Sequence, residues 1–128
     1  GERKLLNLGH TFAHGIEHAA GYGTVPHGVA VAVGIGRALE VARISGDLDS
    51  GLLDRVRALA ETFGLPLDLD GLKREFTARV DPDSVLAAMR SDKKNRAGRT
   101  RLVVPRGVGR VEFDVEVTDL LLLDALEG

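Results

Sequence analysis

Residues 7–28, NLGHTFAHGIEHAAGYGTVPHG, decide how the fold begins and hold all four histidines of the chain. From residue 4 to residue 20, apolar residues recur mostly at three- and four-residue steps, which is the period of an amphipathic helix. Gly21 and Gly23 end that helix, and Pro26 then places His27 at the start of a second one. The sequence therefore predicts two consecutive helices whose connecting loop can bring His27 within reach of His10.

The second helix is predicted over residues 27–44, where Val, Ala, Gly and Ile occupy nearly every face. This composition is typical of a buried helix whose small residues permit close packing. The alternation of Val and Ala also fits a strand, but the segment is too long for a typical one. Gly34 and Gly36 resemble a dinucleotide-binding loop only superficially, because no strand precedes them and a third glycine is absent.

The rest of the chain predicts a mainly helical domain with a small β-hairpin near the C-terminus. Helices are expected over residues 50–63, 69–80, 82–89 and 120–126, and strands over residues 101–105 and 111–117. The candidate cap and turn residues are Ser50, Gly64, the pair Asp81 and Pro82, Gly107, Gly109, and either Thr118 or Asp119. The third helix carries its apolar residues on one stripe, formed by Leu52, Leu53, Val56, Leu59, Ala60 and Phe63.

Composition limits the function. The length of 128 residues indicates one domain, and 44% hydrophobic residues indicate a globular one. Seventeen Lys and Arg against nineteen Asp and Glu, a net charge of −2, argue against nucleic acid or an anionic membrane as a partner. The absence of cysteine excludes a cysteine-ligated metal and fits a reducing cytoplasm. We expect a soluble, cytoplasmic protein that acts on a small molecule, and the start at Gly1 rather than Met suggests part of a longer protein.

The crowded histidines are the main chemical signal, because histidine both binds metals and transfers protons near neutral pH. His10 and His14 are four residues apart and share one face of the predicted helix. Two ligands leave a tetrahedral ion under-coordinated, so His27 or a carboxylate must complete such a site. Glu17 is the nearest acidic candidate, although a solvated carboxylate is as good an interpretation. For His18, near the end of the helix, an ordinary core histidine is the favoured interpretation.

Other polar residues are more ambiguous. Arg3, Asn7 and His10 can line one stripe of the first helix or its entry and grip a hydroxyl or a carboxylate, but Asn7 as a cap and Arg3 in solvent fit the spacing too. Lys93 and Lys94 can hold a phosphate as point charges, although charge runs are usually solvated. These residues alone do not decide between the two interpretations.

Taken together, the motifs resemble the C-terminal half of 3-dehydroquinate synthase, a member of the sugar-phosphate cyclase superfamily. The resemblance rests on RKLLNLGHTFAHGIE at residues 3–17, GYG at 21–23, HG at 27–28 and DKK at 92–94, in this order and at these distances. It implies a helical metal- and substrate-binding domain over residues 1–128, preceded in the complete enzyme by an NAD-binding domain that this chain lacks. It also implies a homodimer and a fragment that is inactive alone.

The resemblance also implies roles for individual residues. His10 and His27 become ligands of a divalent metal, zinc or cobalt, with a glutamate upstream of this chain as the third ligand. His14 becomes a proton-transferring, substrate-contacting residue rather than a ligand. The implied substrate contacts are Arg3, Asn7, His14 and one lysine of the pair Lys93 and Lys94.

The implied reaction converts 3-deoxy-D-arabino-heptulosonate 7-phosphate into 3-dehydroquinate and phosphate in the shikimate pathway of aromatic amino acid biosynthesis, with NAD as cofactor. Three alternatives stay open: a sister cyclase of the 2-deoxy-scyllo-inosose or valiolone type, a metal-dependent alcohol or glycerol dehydrogenase, and a non-catalytic helical interaction domain. The last is favoured by Val29, which follows the HG motif where the family normally has glutamate. That departure removes a carboxylate expected to orient a metal ligand.

Overall fold

The computed structural model describes residues 8–76, 80–91 and 99–128 of the chain. These residues form α1 (His10–Ala20), α2 (His27–Ile44), α3 (Ser50–Phe63), α4 (Leu69–Phe76), α5 (Pro82–Arg90), β1 (Arg99–Gly107), β2 (Arg110–Thr118) and α6 (Asp119–Glu127). The mainly helical fold with a small antiparallel hairpin near the C-terminus is therefore confirmed. Within the described ranges, no helix is both long and apolar enough to cross a membrane.

The core is built around α1 and α2. Helix α1 packs against α2 on one side and α5 on another, and α6 packs against α2 and α5. The largest fully buried side chains come from every element of this group and from β1, and they include Phe12, Ile16, Val33, Leu39, Val85, Met89, Val104 and Leu122. The packing fixes α1 relative to α2, and these are the two helices that carry the histidines.

Helix α1 begins later than the sequence predicts. Leu8 and Gly9 form a turn, and the helix starts at His10, so a continuous helix from residue 4 is wrong at this point. Gly9 has φ +77°, a left-handed conformation that side chains disfavour. A β-carbon at Gly9 would also lie 2.9 Å from the backbone nitrogen of Ile35 in α2. The turn therefore needs glycine for its conformation and for its close approach to α2.

Arg37 is a buried charge that ties three segments together. Its side chain donates hydrogen bonds to the carbonyl oxygens of Leu67, Ala125 and Gly128, and the residue is only 5% exposed. Burial lowers the pKa of Arg37, and the nearby carboxylate of Glu40 counteracts this effect. The guanidinium thus anchors the end of α6 and the segment before α4 to the middle of α2.

Helix α3 matches its predicted bounds but has a different cap and a stripe that is exposed at Leu59 and Phe63. Asp49, not Ser50, is the N-cap, and its carboxylate accepts from the backbone N–H of Gly51. The predicted C-cap is confirmed, because Gly64 adopts the left-handed conformation. Along the apolar stripe, Leu59 is 60% and Phe63 is 71% exposed. Helical periodicity predicts a stripe, but it does not say that the stripe is covered.

The later elements follow their predictions with shifted ends. Helix α4 ends at Phe76 and Val80 is not helical, so the predicted helix over residues 69–80 is too long. Asp81 caps α5 and Thr118 caps α6, each accepting a backbone N–H as expected. Both strands are longer than predicted, and β2 has an extra residue where Leu102 pairs with Val115 and the next register pair is Val104 with Glu112. This bulge bends the hairpin.

Candidate functional site

One face of α1 carries the candidate chemistry. Its buried side includes Phe12 and Ile16. His10, His14 and Glu17, at spacings of four and three residues, share another face. His10 and Glu17 are half-buried and His14 is exposed. The helix therefore packs into the core on one side and offers two imidazoles and a carboxylate on another.

His27 comes to this face from the first turn of α2. Its ring centroid lies 5.6 Å from that of His10, with the planes tilted by 57°. The rings of His10 and His14 are farther apart, at 6.3 Å, and nearly perpendicular at 83°. The fold thus brings together the three histidines that the sequence singles out.

These distances distinguish the possible ligand pairs. A Zn–N bond of about 2.0–2.1 Å puts the ring centroid about 3.2 Å from the ion. Centroids 5.6 Å apart, as for His10 and His27, then correspond to an angle of about 120° at a shared ion. The ring centroids of His10 and His14 are 6.3 Å apart, and a shared ion would then need an angle of about 160° between them, far from the tetrahedral value. The separation of His10 and His27 is therefore compatible with a shared metal, and that of the pair at helical spacing is less so.

Both imidazoles of that pair have their Nδ1 atoms engaged. Nδ1 of His27 lies 2.6 Å from Oε1 of Glu17, and Nδ1 of His10 lies 3.3 Å from the carbonyl oxygen of Leu8. A carboxylate and a carbonyl can only accept, so each ring donates from Nδ1, and the neutral form of each ring then has its lone pair on Nε2. This is the usual state of a metal-binding imidazole.

The described residues supply only part of a metal site. No group of three or more His, Asp or Glu side chains placed to hold an ion occurs within residues 8–76, 80–91 and 99–128. A metal held by His10 and His27 would accordingly need a further ligand from elsewhere.

His14 borders an open groove between α1 and the end of α5. The groove is lined by polar and small side chains, among them Thr11, His18, Tyr22 and Ser91. His18 is exposed and stands edge-on to the ring of Tyr22 at 6.1 Å, so its interpretation as a core histidine is wrong. His14 is therefore open to a molecule that approaches this side of α1.

Several sequence predictions receive no structural test. Arg3, Asn7, Lys93 and Lys94 lie outside the described residues and remain predictions. Val29 is half-buried and packs against the hydrophobic core. The sequence does not predict the hydrogen bond that His27 donates to Glu17, although Glu17 is the nearest acidic residue to the histidine pair on α1. Its position seven residues after His10, on the same helix face, was the available signal.

Comparisons with known proteins agree on one family. Residues 1–95 match the family model described as 3-dehydroquinate synthase C-terminal. The chain is 43% identical to the 3-dehydroquinate synthase of Xanthomonas oryzae over 133 aligned residues, which cover 100% of this chain and 34% of that protein. It is 40% identical to the 3-dehydroquinate synthase of Shewanella loihica, with 98% and 33% covered. The chain thus spans about a third of the length of these relatives.

Solved structures with a similar fold are sugar-phosphate cyclases. A 2-deoxy-scyllo-inosose synthase complexed with carbaglucose-6-phosphate, NAD+ and Co2+ superposes with a TM-score of 0.79 at 22% identity, covering 99% of this chain and 34% of that one. The 2-epi-5-epi-valiolone synthase of Streptomyces hygroscopicus with NAD+ and Zn2+ bound gives 0.73 at 28% identity, with 96% and 32% covered. The first similarity concerns the fold alone.

Proposed function

Because the chain belongs to the 3-dehydroquinate synthase C-terminal family, we propose that it is the metal- and substrate-binding domain of a 3-dehydroquinate synthase. The complete enzyme would convert 3-deoxy-D-arabino-heptulosonate 7-phosphate into 3-dehydroquinate and phosphate, a step of the shikimate pathway. The observation that carries the proposal is the meeting of His10 and His27, whose ring centroids lie 5.6 Å apart and whose Nδ1 atoms each donate to an acceptor, so that the neutral form of each ring has its lone pair on Nε2.

The remainder of the enzyme would lie outside this chain. The match to a C-terminal family model and the relatives' roughly threefold greater length support a further domain before residue 1, and we propose that it binds NAD and contributes a glutamate as the third metal ligand. We also propose that the complete enzyme is a cytoplasmic homodimer and that this domain alone is inactive. The cofactors would be NAD and a divalent metal, zinc or cobalt, as in the cyclases of similar fold.

His10 and His27 would hold the metal through their Nε2 atoms. When bound, the metal supplies polarisation of a substrate hydroxyl and NAD supplies a hydride acceptor. His14 stands beside His10 but is poorly placed to share its ion, so it would touch the substrate and carry a proton to or from it. Arg3, Asn7 and one of the lysines Lys93 and Lys94 would bind the substrate's polar groups.

The second candidate function is a sister cyclase that acts on a different sugar phosphate. The fold similarity to the valiolone synthase favours it, but the 43% identity to a 3-dehydroquinate synthase exceeds the 28% identity to that cyclase. The two candidates share their metal chemistry and differ in the sugar phosphate that is turned over. A substrate panel therefore separates them.

The test measures phosphate release by the full-length protein with NAD and zinc or cobalt. The heptulosonate phosphate, sedoheptulose 7-phosphate and glucose 6-phosphate are offered in parallel. Turnover of the heptulosonate alone supports the proposal, turnover of another sugar identifies a sister cyclase, and no release from any of them favours the non-catalytic interpretation.

The ligand assignment has its own test in the metal content of variants. His10→Ala and His27→Ala should each lose bound zinc, measured by elemental analysis after gel filtration. His18→Ala is the matched control, because His18 is an exposed histidine of the same helix whose ring contacts Tyr22 instead. Unchanged zinc in His27→Ala would contradict the assignment even if phosphate release were observed.

A further inference from the structure

Glu17 and His27 form a contact between two helices at the edge of the candidate metal site. The Glu17 side chain is only 13% exposed, whereas that of His27 is 59% exposed. Oε1 of the carboxylate lies 2.6 Å from Nδ1 of the ring, a short hydrogen bond. An exposed imidazole is thus held by a carboxylate that is itself held by the packing of α1.

The consequence for His27 is a fixed tautomer and a fixed ring orientation. A neutral imidazole that donates from Nδ1 has its remaining lone pair on Nε2, which is then the atom available to a metal. Without the carboxylate, the side chain of His27 would be free to rotate and to exchange tautomers, since more than half of its surface faces solvent.

The position of Glu17 also answers the question raised by Val29. The resemblance implies an orienting carboxylate directly after the HG motif, but the side chain of Val29 is apolar and packs on the core. Glu17 reaches the same ligand from α1, ten residues before it in sequence. The chain therefore has an orienting carboxylate for His27 although residue 29 is valine.

We propose that Glu17 is a positioning residue, which holds His27 in the tautomer and orientation that present Nε2 to a divalent metal. The inference rests on the proposed function, because it takes His27 as a ligand. It adds that the affinity for the metal depends on a residue that does not itself bind the ion.

The experiment compares Glu17→Ala and Glu17→Gln in the full-length protein. Affinity for Zn2+ is measured by competition with a chromophoric chelator, and the visible spectrum of the Co2+ form reports the geometry at the ion. Loss of an orienting partner typically weakens a metal site by about 10- to 100-fold, which is the loss expected for Glu17→Ala. Glu17→Gln should recover most of the affinity, because its amide oxygen can accept the same hydrogen bond.

Glu40→Ala is the matched control. Glu40 is a glutamate with a similarly buried side chain, 15% exposed, and it pairs with Arg43 in α2 rather than with a histidine. Its loss should leave affinity for Zn2+ unchanged. In metal-free protein labelled with 15N-histidine, His27 should carry its proton on Nδ1 in the wild type and lose that preference in Glu17→Ala.

Three results would overturn the inference. One is Zn2+ affinity in a folded Glu17→Ala that stays within twofold of the wild type, and another is a His27 proton found on Nε2 in the wild type. The third is a loss in Glu17→Gln as large as in His27→Ala, which would make Glu17 a ligand instead. Failure of the proposed function looks different, because Zn2+ would then bind equally well without His27.

Discussion

Replacing Gly34 with alanine would test whether helix packing sets the distance between His10 and His27. Gly34 lies in α2 where the start of α1 crosses it. A β-carbon there would be 3.0 Å from the carbonyl carbon of Gly9, closer still to its oxygen, and 3.2 Å from the nitrogen of Ala13. These are backbone atoms, which cannot rotate away, so the first turn of α1 would have to move.

The size of the effect follows from those distances. Carbon atoms in good contact are about 3.5–4.0 Å apart, and the still closer contact with the oxygen of Gly9 sets the required movement, so the backbone must shift by roughly 1 Å or more. Overpacking of this kind lowers the free energy of unfolding by about 1–3 kcal/mol, whereas alanine in a helix raises it by about 0.5–1 kcal/mol relative to glycine. We expect a net loss of about 1–2 kcal/mol in the free energy of unfolding. Because a metal site tolerates deviations of only about 0.2 Å, affinity for Zn2+ should fall by at least about tenfold.

The assay is urea unfolding together with Zn2+ titration of the full-length protein, with two controls in the same helix. Gly36→Ala introduces a comparable clash on another side of α2, where the new β-carbon would lie 2.8 Å from the carbonyl carbon of Leu67. It should lose stability but keep its affinity for Zn2+. Gly28→Ala meets no atom within 4 Å although it adjoins His27, and it should change neither quantity adversely. Full Zn2+ affinity in Gly34→Ala, or an equal loss in Gly36→Ala, would refute the reasoning.

Three further predictions concern Arg37, the N-cap Asp81 and the proposed proton-transferring residue His14. Arg37→Met leaves three backbone carbonyls without their donor and should cost about 2–4 kcal/mol in urea unfolding, whereas Arg43→Met on the surface of the same helix should cost less than about 1 kcal/mol. A backbone hydrogen bond from Ser84 lowers the pKa of Asp81, so the stability from this cap is present above the ordinary aspartate pKa and is lost as pH falls through the lowered one. Asp81→Asn accepts the same bond at every pH and should show a smaller fall in urea midpoint between pH 7 and about pH 3; an equal fall would contradict this cause. His14→Asn in the full-length protein should keep its zinc and lose about 10²- to 10⁴-fold in the rate of phosphate release, and loss of zinc would show that His14 is a ligand.

Much of the fold can be predicted from the sequence because its signals are local. Helix α2 follows from its composition and flanking residues, and the cap at Asp81 follows from an acceptor that precedes Pro82. The start of α1 cannot be predicted in this way. Apolar periodicity continues through Gly9, but Gly9 adopts a left-handed turn that lies against Ile35, a residue distant in sequence, and the helix begins after it at His10.

For the candidate site, too, the local sequence motifs are predictable and the contacts between helices are not. His10 and His27 can be proposed from the motifs, and the packing of α1 on α2 places them 5.6 Å apart as that proposal requires. The spacing on α1 makes Glu17 a candidate for the site but does not identify it as the partner of His27, because that contact depends on how α1 packs against α2. Spacing on α1 favours the pair His10 and His14, which the ring distances make a poor ligand pair.

Helix α1 is short, yet the residues that stabilise the fold and the residues of the candidate site lie on different faces of it. Phe12 and Ile16 are almost completely buried, so substitutions there should affect folding and the site together. His14 is exposed, so its substitution should affect chemistry much more than folding. Glu17 lies between these cases, because its burial depends on the packing while its hydrogen bond serves His27. Substitution of Glu17 is therefore the most informative test. The packing would hold α1 in place while His27 on α2 loses its hydrogen-bond partner, so affinity for the metal should change without a change in fold.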